Sequence, residues 1–119
     1  MSTININEKF LQVNEYWHPH IVAELNGQQV KVAKLKGEFI WHSHAEEDEL
    51  FFIMKGELTM EFRDRTETIR AGEMIVVPRG VEHRPIAREE VHLILFEPAS
   101  TLNTGQERNH LTRETLPRI

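Results

Sequence analysis

The chain has no cysteine among its 119 residues. Disulfides, thiolate nucleophiles and cysteine-ligated zinc or iron–sulfur sites are therefore excluded. The same absence fits a reducing compartment, and a cytoplasmic location is the expectation. Long hydrophobic runs are also missing. The longest strictly apolar stretch, Leu50-Phe51-Phe52-Ile53-Met54, falls far short of the roughly 20 residues needed to span a bilayer. No apolar block follows a basic start at the N-terminus, so no signal peptide is expected. Positive charge is in deficit: 14 Lys and Arg face 19 Asp and Glu, for a net charge of −5. Nucleic-acid binders usually carry a basic stripe, and none is visible; neither a nucleic-acid nor a membrane partner is expected.

What is present belongs to an ordinary globular chain: 39% apolar and 28% charged residues. This length predicts one domain, 1–119, exposing about 6,700 Å² when folded and burying roughly two-thirds of the unfolded surface. The pattern divides into an N-terminal helical extension (1–20), a core (about 21–98) and a polar tail (99–119). Ile6, Phe10, Val13 and Trp17 form one helical stripe, and Asn5 with Glu8 reads as a capping box. A helix is expected over about 6–15, ended by His18-Pro19. From residue 20 the period becomes two, and Asn26-Gly27 is a hairpin turn signal. Further strands are expected over 28–36, 38–44, 49–54, 57–63, 66–70, 73–77, 83–86 and 91–97. Many short strands at regular turn spacing mean an all-β sandwich or barrel.

Three features of this pattern converge on one site. In a strand, His42 and His44 share a face, their Cα atoms about 6.6–6.8 Å apart, close enough for two imidazoles to reach one metal. The acidic run 45–48 makes a solvated turn, so that Glu49 opens the next strand beside the pair. His83 opens a later strand after the tight turn Pro78-Arg79-Gly80. A two-residue turn at Lys55-Gly56 would pair Ile53 with Leu58, Phe51 with Met60 and Glu49 with Phe62. Glu49 would then be the one carboxylate on an apolar face, which costs several kcal/mol unless it is paired or metal-bound. Three histidines and a glutamate suit a first-row divalent metal and leave coordination positions open. Glu38 and Ile40 share parity with the histidine pair. They are expected, with Phe51, Ile53, Met60 and Phe62, to face the substrate.

Gly37, His42, His44, Glu49 and Gly56 resemble the first cupin motif, with one residue fewer than usual between Gly37 and His42. Gly72, Pro78, Gly80 and His83 resemble the second, whose usual trailing Asn is Ala87 here. The resemblance covers about 21–98. It implies a jelly-roll barrel holding one divalent transition metal (Fe, Mn, Ni, Zn or Cu) on His42, His44, Glu49 and His83. It also implies pairing into homodimers, which would cover the apolar outer stripe Leu50, Phe52 and Met54. This superfamily hosts dioxygenases, isomerases, epimerases, decarboxylases, storage proteins and sensor domains. The apolar wall favours a metal-dependent enzyme of oxygenase type acting on a small organic molecule. A sugar or sugar-phosphate isomerase, similar to mannose-6-phosphate isomerase, needs Lys or Arg at the pocket, where Lys31, Lys34, Arg84 and Arg88 are unassigned. A non-catalytic module binding a small ligand or metal is the third reading. His18-Pro19-His20 repeats the short His-x-His pattern without a following Glu, and no metal is expected there. His92 lies in the last strand with its facing open.

Overall fold

Asn5 opens helix α1, Ile6–Phe10, by accepting the Glu8 backbone N–H on its side chain at 3.0 Å. The computed structural model describes residues 1–119. α1 is shorter than the stripe suggested. After it the backbone N–H groups of Leu11, Gln12 and Val13 reach back only three residues, so the chain tightens and turns. The apolar stripe is buried all the same. Phe10 and Val13 pack on Val32, while Trp17 joins the main core.

Seven strands follow: β1 (His20–Leu25), β2 (Gln28–Glu38), β3 (Glu49–Lys55), β4 (Glu57–Phe62), β5 (Thr66–Arg70), β6 (Met74–Val77) and β7 (His83–Pro98). All pairings are antiparallel. β1 and β2 form the expected hairpin, with Asn26 and Gly27 at φ 49° and 78°, as a type I′ turn requires. β7 ties two sheets together. Its second half lies between β2 and β3, giving the order β1-β2-β7-β3-β6. Its first half lies between the end of β2 and β4, which in turn pairs with β5. Between the halves the register on β2 jumps, and Arg88 and Glu89 swing out to solvent. This is the jelly-roll arrangement.

Three expectations are corrected. First, β3 and β4 do not form a hairpin. β3 pairs with β6 and β7, β4 with β5 and β7, and Lys55-Gly56 is the corner where the chain changes sheet. Gly56 sits there at φ +87°, where a Cβ would come within 2.7 Å of the Glu90 carbonyl oxygen. The inward set Glu49, Phe51, Ile53, Leu58, Met60 and Phe62 is nevertheless buried, because alternation selects a face whatever the partner. Second, strand 38–44 is absent. β2 runs on through Gly37 to Glu38, and 39–48 is a connection bonded to β7 at Phe39, whose N–H donates to the Pro85 carbonyl, and at His42. Third, the strands expected over 83–86 and 91–97 are one, β7.

The main core holds Trp17, Ala33, Leu35, Phe39, Phe51, Ile53, Leu58, Met60, Phe62, Ile69, Val77, Ala87, Val91, Leu93 and Leu95. The exposed area is 6826 Å². Residues 99–119 have no regular structure, as expected of a polar tail, yet Thr101 and Thr104 are buried and Leu111 packs on the core.

Candidate metal centre

His42, His44, Glu49 and His83 come from three places. Glu49 begins β3, His83 begins β7, and the histidine pair sits in the connection 39–48. Without a strand, that connection is held residue by residue. His42 exchanges both backbone hydrogen bonds with His83, at 3.0 and 2.9 Å, and the Gly80 N–H donates to the His44 carbonyl at 2.7 Å. The acidic run does more than face solvent. Asp48 accepts from the Arg79 backbone N–H and guanidinium, pinning the 78–80 turn beside the site. That contact also lowers the Asp48 pKa.

All four side chains are buried, and one ligand atom from each lies within 4.8 Å of the others. The His44 and His83 Nε2 atoms stand 2.9 and 3.2 Å from Glu49 Oε1. Adjacent ligands of one ion at about 2.0–2.2 Å would be separated by about 3 Å. The His42 Nδ1–H donates to the Ile40 carbonyl and that of His83 to the Val81 carbonyl, each at 2.9 Å. A carbonyl only accepts, so these bonds fix the tautomer and leave each Nε2 with a bare lone pair. His44 has no such anchor. Both its ring nitrogens, Glu49 Oε1 and His83 Nε2 lack a hydrogen-bond partner of proper geometry. Buried polar atoms are seldom left so, and a shared cation would satisfy His44 Nε2, His83 Nε2 and Glu49 Oε1 at once, leaving His44 Nδ1 alone. The donor set fits a divalent transition metal.

Burial, aided by the nearby His83, lowers the His42 pKa to about 4, so this ring is neutral near pH 7. Burial by itself would raise the Glu49 carboxyl. The close approach of His44, then His83 and Glu97, outweighs it and holds the group ionised, well below 4.5. Glu97 is the counterpart. Burial first, then the Glu49 charge, push it well above 4.5 against the pull of Lys31. Lys31 Nζ donates to Glu97 Oε1 at 2.7 Å, and both side chains are buried. Sequence reasoning left Lys31 unassigned and missed Glu97. The available signal was parity, since Lys31 shares a face with Ala33 and Leu35, and Glu97 with Leu93 and Leu95.

A cleft open to solvent reaches His42, Glu49 and Glu97. Its walls are Trp17, Pro19, Ala33, Leu35, Phe39, Phe51, Pro85, Leu93 and Leu95, with Asn103 from the tail. Trp17 and Phe39 stack with centroids 4.9 Å apart. Of the residues expected to face substrate, Phe51 lines this cavity, whereas Ile53, Met60 and Phe62 are packed in the core away from it. Glu38 is exposed and pairs with Arg84 at 3.7 Å, because the parity that aimed it inward assumed a strand that is absent. Ile40 is half-buried against the core and serves through its carbonyl. His92 lies outside, stacked on Phe10 and bonded to Glu90. His18 and His20 are not part of the four-residue group.

The family model for the Cupin domain matches residues 28–97. The chain is a cupin. A cupin-2 domain containing protein from Shewanella frigidimarina is 49% identical, with a TM-score of 0.79 over 81% of this chain and 94% of that one. Protein NMB1881 from Neisseria meningitidis is 37% identical, with a TM-score of 0.76 over 82% of this chain and all of that one, 100%. The uncharacterised protein YdbB of Bacillus subtilis (strain 168) is 38% identical over 64 residues, 53% of this cupin and 57% of the Bacillus protein. No helix of this cupin is long and apolar enough to cross a membrane.

Proposed function

We propose that this cupin holds one divalent transition metal on His42, His44, Glu49 and His83 and acts, by chemistry of oxygenase type, on a small, largely apolar molecule bearing oxygen donors. The observation that carries this reading is the set of buried ligand atoms without hydrogen-bond partners at the end of an apolar cavity. A bound metal would supply Lewis acidity and open positions for an oxygen donor. The chain's own part is to present three imidazole nitrogens and one carboxylate, and to exclude water with Trp17, Phe39, Phe51 and Leu95. A sugar phosphate finds no cation in the cavity wall. Lys31 is tied to Glu97, Arg84 to Glu61 and Glu38, and Arg88 is exposed.

The test is metal analysis of protein purified without added metal, followed by oxygen uptake with catechols, diketones and aminothiols. About one metal per chain is expected, lost in His42→Ala and His83→Ala and retained in His18→Ala and His20→Ala. Retention of metal in both of the first two variants overturns the ligand set. Metal binding without turnover on any of these substrates favours a non-catalytic binding module.

We also propose that a second copy covers the outer sheet face. Val76, Leu50 and Phe96 form one row across β6, β3 and β7, and Met74, Phe52 and Ile94 the next. Met74 and Val76 are 61% and 53% exposed on a strand paired along one edge only.

A further inference from the structure

We propose that the tail segment 100–107, outside the 28–97 span of the family model, is a positioning element of the metal centre that seats His44. This rests on the metal reading above. The residue between the two histidines, Ser43, has no strand partner. Its carbonyl instead accepts the Gln106 N–H at 3.1 Å. Gly105 lies so close that a Cβ there would overlap the Ser43 carbonyl oxygen and sit 3.3 Å from His44 Nδ1. Its φ of +60° is one that side chains other than glycine seldom adopt.

The segment is itself fastened at both ends. Ser100 Oγ donates to Glu47 in the acidic turn at 2.8 Å. Thr104 is fully buried, its hydroxyl bonded to the Glu107 carbonyl and the Thr112 hydroxyl. Asn103 accepts from the Arg113 N–H and donates to the Leu111 carbonyl, and Leu111 is held on the core. His42 and His83 have their rings anchored through Nδ1 on backbone carbonyls. The His44 Nδ1 has no partner, so its ring is placed by packing, and on one side the space beside it stays open because Gly105 has no side chain to fill it. A ring free to rotate would present its Nε2 to the cation only part of the time, and affinity would fall in proportion.

The test uses the full chain and cobalt(II), whose visible spectrum reports coordination geometry. Gly105→Ala is expected to weaken cobalt binding by roughly tenfold or more, the range found when groups supporting metal ligands are removed, and to alter the spectrum. Gly72→Ala is the control. That glycine has a similarly positive φ, +85°, but nothing within 4 Å, so it brings backbone strain without touching the site. Its cobalt affinity should stay within about twofold of wild type. Linkage requires the converse effect in the unaltered chain: cobalt must slow amide hydrogen exchange across 101–107. That measurement decides the matter should Gly105→Ala fail to fold. Wild-type affinity and spectrum in Gly105→Ala, or exchange across 101–107 indifferent to cobalt, overturns the proposal. Should His42→Ala also bind cobalt like wild type, or wild type bind none, it is the metal reading itself that falls, and the tail's role with it.

Discussion

His42 enters the unfolded chain with a pKa of about 6.5 and is held at about 4 when folded, chiefly by burial. Between those values the unfolded state binds more protons than the native one. Stability from this group is therefore full above pH 6.5, falls as the pH drops toward 4, and levels off below. The swing is roughly 3 kcal/mol. Urea unfolding of metal-free protein at pH 7 and pH 4 should show it as a difference between wild type and His42→Ala that narrows by about that amount. A difference constant with pH would remove burial as the cause. Bound metal extends the same logic, because protons compete for its ligands. The rise in Tm on adding metal at pH 7.5 should shrink steeply by pH 5, and vanish at both values in His42→Ala.

Lys31 and Glu97 belong to the same scale. Removing one partner of a buried hydrogen bond leaves the other unsatisfied, at about 1–3 kcal/mol and more where it is charged, whereas replacing both by apolar groups is often near neutral. Lys31→Met should therefore destabilise markedly, and Lys31→Met with Glu97→Leu should recover most of the loss. Additive losses in chemical denaturation would show that the two do not act as a pair. The tight Lys31–Glu97 contact was hard to see in the chain, because a lysine between Val30 and Val32 reads as the polar face of a half-exposed strand. Only its partner, 66 residues away, makes that face an interior one.

At the scale of elements, Gly56 marks where strand partners change. Gly56→Ala meets both a positive φ and the Glu90 carbonyl, while Gly72→Ala meets only the positive φ. The first should destabilise by about 2 kcal/mol or more and the second by about 1. Equal losses would mean that the corner relaxes at no cost. The same corner shows what local pattern encodes. The strands near 49–54, 57–63 and 66–70 were legible because alternation is written in neighbouring residues. Partner choice is not. Glycine after lysine suits a hairpin and a sheet-changing corner alike, and the competition is settled by β7, more than 25 residues further on. The site was legible for a related reason: Glu49 and His83 open strands at turn signals, and His42 and His44 stand two apart. The strand assigned to 38–44 was wrong although the histidine pair it carried does converge, since backbone bonds from His83, Gly80 and Gln106 replace a ladder. The tail resisted reading altogether. Its packing rests on Thr101, Thr104 and Leu111, which have no period of two or 3.6 to announce them.

For the whole molecule, the proposed second copy over the two apolar rows of β6, β3 and β7 makes a dimer the expected species. Light scattering at micromolar concentration should give twice the 14.0 kDa chain mass, and Phe52→Glu should shift it toward monomer. A monomeric wild type ends that reading.

β7 carries one more consequence, for synthesis. It is the strand that β2, β3 and β4 all require, and it spans 83–98, later in the chain than any of them. As residues leave the ribosome in order, β2, β3 and β4 must each wait with one edge unpaired until β7 has emerged. Contacts this distant in sequence place folding on the slow side, milliseconds to seconds for β-rich domains. Nascent chains stalled before residue 98 should therefore be sensitive to protease throughout, apart from the local β1–β2 and β4–β5 hairpins, and acquire resistance in a single late step once β7 is clear of the exit tunnel.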